Sequence, residues 1–141
     1  MKQFFWPDIE YYFAAGNIDG VEVDADFNFV KIAVVYMSGD KYCKITAVCE
    51  TCCYLDFRRD TNHTSGSGTI LEAYVHDSSP LIEALLHHKL QGKTGYLCLE
   101  ESKSGEVKHL EIVGELSLNV LCINIVFESD ALPNTDVCPA S

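Results

Sequence analysis

The chain has 141 residues, of which 48% are hydrophobic and 22% are charged, and this composition excludes disordered, fibrous and low-complexity proteins. Its formal net charge is −11, and Arg58 and Arg59 are its only arginines. Nucleic acids and anionic membranes are bound through lysine and arginine, so both are poor partners for this chain. A basic protein is the partner that the charge favours.

The amino-terminal segment is rich in aromatic residues from Phe4 to Phe13, with Pro7 close to its start. This pattern predicts either a short helix with proline in its first turn or an irregular flap. No apolar run is long enough for a signal peptide or a membrane helix. We therefore expect a cytoplasmic protein whose seven cysteines are reduced.

A strand hairpin is predicted next. Glu22, Asp24 and Asp26 alternate with apolar residues, which is the period-two pattern of a strand with one buried and one solvated face. The pattern places the three carboxylates side by side on the outward face. The β-branched run over 29–37 predicts the partner strand.

Four cysteines then fall within eleven residues. The sequence predicts strands over 42–49 and 53–58, joined by a three-residue turn at 50–52. Strand alternation places Cys43, Cys49 and Cys53 on an apolar face and leaves Cys52 in the turn, so we predict that the cluster is core and that Cys52 is the reactive thiol. A metal or redox role is the alternative, but only Cys49 and Cys52 have the C-x₂-C spacing, and no second pair exists.

The rest of the chain predicts one helix among strands. A strand over 70–76 precedes a serine N-cap, Pro80 and a helical apolar stripe, which predict a helix at about 79–91. Strands follow over 96–100, 107–113 and 116–127, the last apolar on both faces and therefore central. These elements predict a single α+β domain over 1–128 with a mainly antiparallel sheet and a loose tail over 129–141. A second subunit could cover the sheet edges and form a homodimer.

Two histidines are candidates for a ligand or catalytic pocket. His76 is followed by Asp77, and His109 shares a strand face with Glu111, so either could form a histidine–carboxylate couple. No motif supplies a nucleophile for them. A small-ligand-binding protein or a small enzyme with a pocket of aromatics and His76 or His109 is therefore the alternative function.

The order of the late elements, with the helix over 80–90, a hairpin and the closing strand Gly114 to Cys122, resembles immunity-type proteins encoded beside bacterial polymorphic toxins. The resemblance implies an acidic, single-domain α+β inhibitor without catalytic residues. Acids are concentrated near both ends of the chain, and we predict a non-enzymatic domain that uses them to meet a basic protein, without cofactor or metal. The predicted contact residues are Glu22, Asp24, Asp26, Glu100, Glu101 and Glu106.

Overall fold

The computed structural model describes residues 2–26, 28–38, 40–59, 69–86 and 107–129. Its elements, in chain order, are β1 Lys2–Phe4, α1 Trp6–Ala14, β2 Asn17–Val23, β3 Phe29–Ser38, β4 Lys41–Arg59, β5 Ile70–His76, α2 Pro80–Leu86, β6 Lys108–Gly114 and β7 Leu116–Ser129. All pairs of these strands are antiparallel, which confirms the predicted α+β class with a mainly antiparallel sheet.

Several predictions concern residues outside the described ranges. They include the last turn of the predicted helix at 79–91, the strand over 96–100, the acids Glu100, Glu101 and Glu106, and most of the predicted tail. The first residue of that tail, Ser129, is instead the last residue of β7, and its hydroxyl donates to the Lys44 carbonyl at 2.9 Å.

The strands form one sheet in the order β2-β3-β4-β7-β6-β5, with β1 paired to the end of β7. β7 therefore lies between β4 and β6, as its two apolar faces predict. The two outer strands approach each other at one end, where Asn17 and Thr69 form an isolated bridge and the Ile70 amide donates to the Gly16 carbonyl at 3.1 Å. The sheet is thus strongly curved.

The aromatic segment at the start of the chain is a helix that belongs to the core. α1 carries Pro7 in its first turn, where a missing amide hydrogen costs nothing. Ile9 and Phe13 are fully buried and Tyr12 is 4% exposed. These side chains pack with buried residues of β3 to β7 on one face of the sheet. The position of α1 is therefore fixed by burial of apolar surface, the main favourable term in folding.

β4 is one continuous strand, so the predicted turn at 50–52 is wrong. Thr51 has a φ of 56°, in the left-handed region that β-branched residues rarely adopt, and the pairing with β7 shifts between Cys52 and Tyr54. A bulge of this kind adds a residue and reverses the alternation of the side chains. Cys52, rather than Cys53, consequently joins Cys43 and Cys49 in the main core.

The four clustered cysteines are all buried, as the core interpretation predicts. Cys53 lies in a second, smaller cluster with Ile82 of α2. Cys52 is only 3% exposed, and burial raises the pKa of its thiol to about 12. Because the thiolate is the reacting species, the structure overturns the argument for Cys52 as the reactive thiol. In the described ranges no group of three or more histidine, cysteine or acidic side chains is placed to hold a metal ion.

Candidate functional site

The second face of the sheet carries a polar cleft where β4, β7, β6 and β5 lie side by side, next to the start of α2. The cleft has a volume of about 520 Å³. Cross-strand pairing assembles it, because side chains at paired positions of an antiparallel sheet are about 4.5–5.5 Å apart on the same face. Its principal polar lining residues are Tyr54, Asp56, Arg58, His76, Ser79, His109, Glu111 and Asn119.

His109 is the buried centre of this cleft, only 5% exposed, and both of its ring nitrogens are hydrogen-bonded. Nε2 lies 2.8 Å from Oδ1 of Asn119, and Nδ1 lies 2.8 Å from Oγ of Ser79. Since an amide oxygen only accepts, the ring hydrogen is on Nε2, and Nδ1 accepts from the serine hydroxyl. The two neighbours thus fix both the orientation and the tautomer of the imidazole.

Ser79 connects this network to α2. Its Oγ accepts the Ile82 amide hydrogen at 3.2 Å, which is the N-cap bond that the sequence predicts before Pro80. The capping bond occupies an oxygen lone pair and leaves the hydroxyl hydrogen for His109. One side chain therefore starts the helix and holds the buried ring.

His76 and Glu111 form the accessible couple of the cleft. His76 Nε2 lies 2.8 Å from Glu111 Oε1, and about a third of each side chain is exposed. The two predicted couples are wrong in their partners, because Asp77 instead pairs with Lys108 at 2.6 Å and His109 binds Asn119 and Ser79. The contacts across the strands, rather than those along the chain, decide the partners. His76 is paired with His109 in the antiparallel ladder, and Glu111 lies diagonally across from His76.

An ion pair borders the opposite side of the cleft. The Arg58 Nε donates to both carboxylate oxygens of Asp56, at 2.9 and 3.1 Å, and a terminal nitrogen of Arg58 lies 2.8 Å from Oδ2. The Arg58 side chain is 74% exposed, so the pair contributes little to stability but offers charges of both signs to a ligand.

We expect the stability of the protein to depend on the charge of His109. Burial lowers the pKa of this ring, and the nearby His76 lowers it further, whereas the Asn119 hydrogen bond and Glu111 oppose the shift. The contribution of His109 is therefore complete above the unfolded pKa, about 6.5, and is lost as the pH falls through the lower folded value. Urea unfolding between pH 5 and 7.5 should show a steeper loss of stability at low pH for the native protein than for His109→Gln. Equal pH slopes in the two proteins would contradict this prediction.

The predicted acidic surface is only partly a strand face. Glu22 is exposed on β2 opposite Lys31, but β2 ends at Val23. Asp24 and Asp26 lie in the following turn, where the Asp24 carboxylate accepts the Asn28 amide hydrogen at 3.1 Å. Placing all three carboxylates on one strand was therefore wrong, because the alternation continued into a turn that aspartate readily initiates.

Sequence reasoning missed the partners of the buried histidine. The sequence marked Ser79 only as a helix cap. It gave no signal for Asn119, since a single polar residue in an apolar strand has no diagnostic spacing.

No protein-family model matches the sequence, and comparison with curated proteins finds no similar one. Neither of the two described helices is long and apolar enough to cross a membrane.

Proposed function

We propose that the protein binds a small polar organic molecule in the cleft beside α2. The observation that carries this proposal is the His76–Glu111 couple, which is one-third exposed and lies against a buried histidine whose two nitrogens are both occupied. The His76 and His109 rings are 5.1 Å apart between centroids. The cleft thus combines a fixed, buried polar group with an accessible one.

Charge and shape support this proposal. Binding sites for small molecules are concave and use a few convergent polar groups to orient the ligand. Here an imidazole, a carboxylate and an arginine–aspartate pair converge, while Pro80 and Leu81 supply apolar lining. A histidine held by a carboxylate is also able to move a proton to or from a bound molecule. We therefore include proton transfer in the proposed function, with His76 as the group that contacts the ligand.

Amide chemical shifts of the full chain, titrated with small carboxylates, amines, amides and esters, test this function. At least one class should shift the resonances of residues 54–58, 76–80 and 109–119 together. His76→Ala should weaken that binding, and Glu22→Gln, which alters a distant exposed carboxylate, should not. Binding elsewhere, or an equal response in His76→Ala, would exclude the cleft as the site.

A second candidate is the acidic binding domain of immunity type that the charge and the resemblance predict. Its specific support is the exposed end of β2, where Val23 is 46% exposed between Glu22 and Asp24, at an outer strand of the sheet. A basic protein encoded by the neighbouring reading frame is the partner to test. Charge reversal at Glu22 and Asp26, or at Glu100, Glu101 and Glu106, should weaken binding at low salt. Unchanged affinity in both sets would reject this surface.

A further inference from the structure

The three side chains around His109 have the connectivity of a nucleophile, a base and an orienting group. Ser79 Oγ is 2.8 Å from Nδ1 of His109, and Nε2 is 2.8 Å from Oδ1 of Asn119. A serine hydroxyl becomes nucleophilic when a neutral imidazole, fixed by a third group, can take its proton. We propose that Ser79 is an acyl-accepting nucleophile and that the cleft hydrolyses small carboxylic esters.

The reaction balances with water as the only co-reactant. Ser79 Oγ attacks the ester carbonyl carbon while its proton passes to Nδ1 of His109. The carbon–oxygen bond to the alcohol then breaks, the alcohol leaves with that proton, and the acyl group remains on Ser79. Water attacks the acyl-serine in the second step, gives its proton to His109, and releases the carboxylic acid as Ser79 regains its hydrogen.

The surroundings match these roles. Because burial lowers the pKa of His109, the ring is neutral at pH 7 and can accept the serine proton. Asn119 is a positioning residue, since it holds the ring hydrogen on Nε2. Ser79 lines the cleft but is only 9% exposed, so a molecule must enter the cleft to reach it. The N-cap bond from Ile82 leaves the hydroxyl hydrogen directed at His109.

This inference rests on the proposed function, because the ester must bind in the cleft. The test uses a fluorophosphonate, which forms a stable adduct with activated serines, and p-nitrophenyl acetate as substrate. We expect one adduct per chain on Ser79, found by peptide mass spectrometry, and an initial burst of nitrophenolate.

Three variants separate catalysis from folding. Ser79→Asn retains a side chain that can cap α2 but has no hydroxyl, so it should unfold cooperatively, form no adduct and lose about 10²-fold or more in kcat/KM. Glu22→Gln, on β2 away from the cleft, is the control and should keep both adduct and turnover. Ser78, the more exposed serine next to Ser79, should carry no adduct. Asn119→Ala should lower kcat/KM and shift the acid limb of its pH profile, which a purely structural role would not move.

The absence of an adduct on the native protein would overturn the proposal, as would an adduct on Ser78 or turnover unchanged in Ser79→Asn. The chemical-shift titration separates this result from failure of the proposed function. If small molecules bind the cleft and no adduct forms, only the assignment of Ser79 as a nucleophile is wrong. If small molecules do not bind and no adduct forms, the proposed function of the cleft is wrong as well.

Discussion

Replacing Phe13 with alanine should lower the free energy of unfolding by about 3–5 kcal/mol, the usual cost of removing a buried phenylalanine side chain. Phe13 is fully buried, and its ring contacts those of Trp6 and Phe127 at centroid distances of 5.6 and 5.8 Å. The substitution would leave a cavity between α1 and the sheet.

The measurement is urea unfolding followed by the fluorescence of Trp6, the only tryptophan of the chain. Phe5→Ala is the control, because Phe5 is 81% exposed and its truncation should change stability by no more than about 0.5 kcal/mol. Equal losses in the two variants would show that α1 is not the centre of the core.

Gly16→Ala should cost about 1–3 kcal/mol, because an added methyl group at this position would overpack the core. A Cβ on Gly16 would lie 2.4 Å from Val34 Cγ1 and 2.8 Å from the Val35 carbonyl oxygen. The backbone oxygen cannot move without disturbing β3, so the connection between α1 and β2 would have to shift.

Gly20→Ala is the matched control for this prediction, since a Cβ there meets nothing within 4 Å. Both variants replace a glycine with alanine in the same part of the chain. Thermal unfolding should show a lower midpoint for Gly16→Ala and an unchanged or slightly higher one for Gly20→Ala. Similar midpoints for the two variants would refute the close approach of Gly16 to β3.

The elements that were predicted correctly from the sequence are those whose pattern of apolar and polar residues matches the side chains that the structure buries. The strands over 70–76 and 116–127 and the hairpin partner over 29–37 were recovered because each is a run rich in β-branched and apolar residues. The helix start at Pro80 was recovered from its cap. β4 was predicted as two strands because a turn at 50–52 would place Cys49 and Cys53 on the same core face. The bulge that is found there contains no glycine or proline, and Thr51 adopts a conformation that its own side chain disfavours, so no local pattern indicates it.

The candidate site was less predictable than the fold. His76, His109 and Glu111 were identified as candidates by residue type, but their partners depend on the register between β5, β6 and β7. A one-residue slip of register would move each side chain to the other face. Asn119 reaches His109 only because β6 and β7 pair as they do, and no local pattern encodes that register.

The double pairing of β4 has a consequence for biosynthesis. Its pairing with β3 is local and can form early. Its pairing with β7 joins Ile45 to Ser129 and Arg59 to Leu116, so it forms only after β7 has been synthesised. Contacts between residues so distant along the chain form slowly, and synthesis proceeds from the amino terminus. Until β7 has been made, the nascent chain presents a long, cysteine-rich strand with one unpaired edge. An edge of that kind can pair with another copy, so the yield of folded protein should depend on the rate of translation and on chaperones.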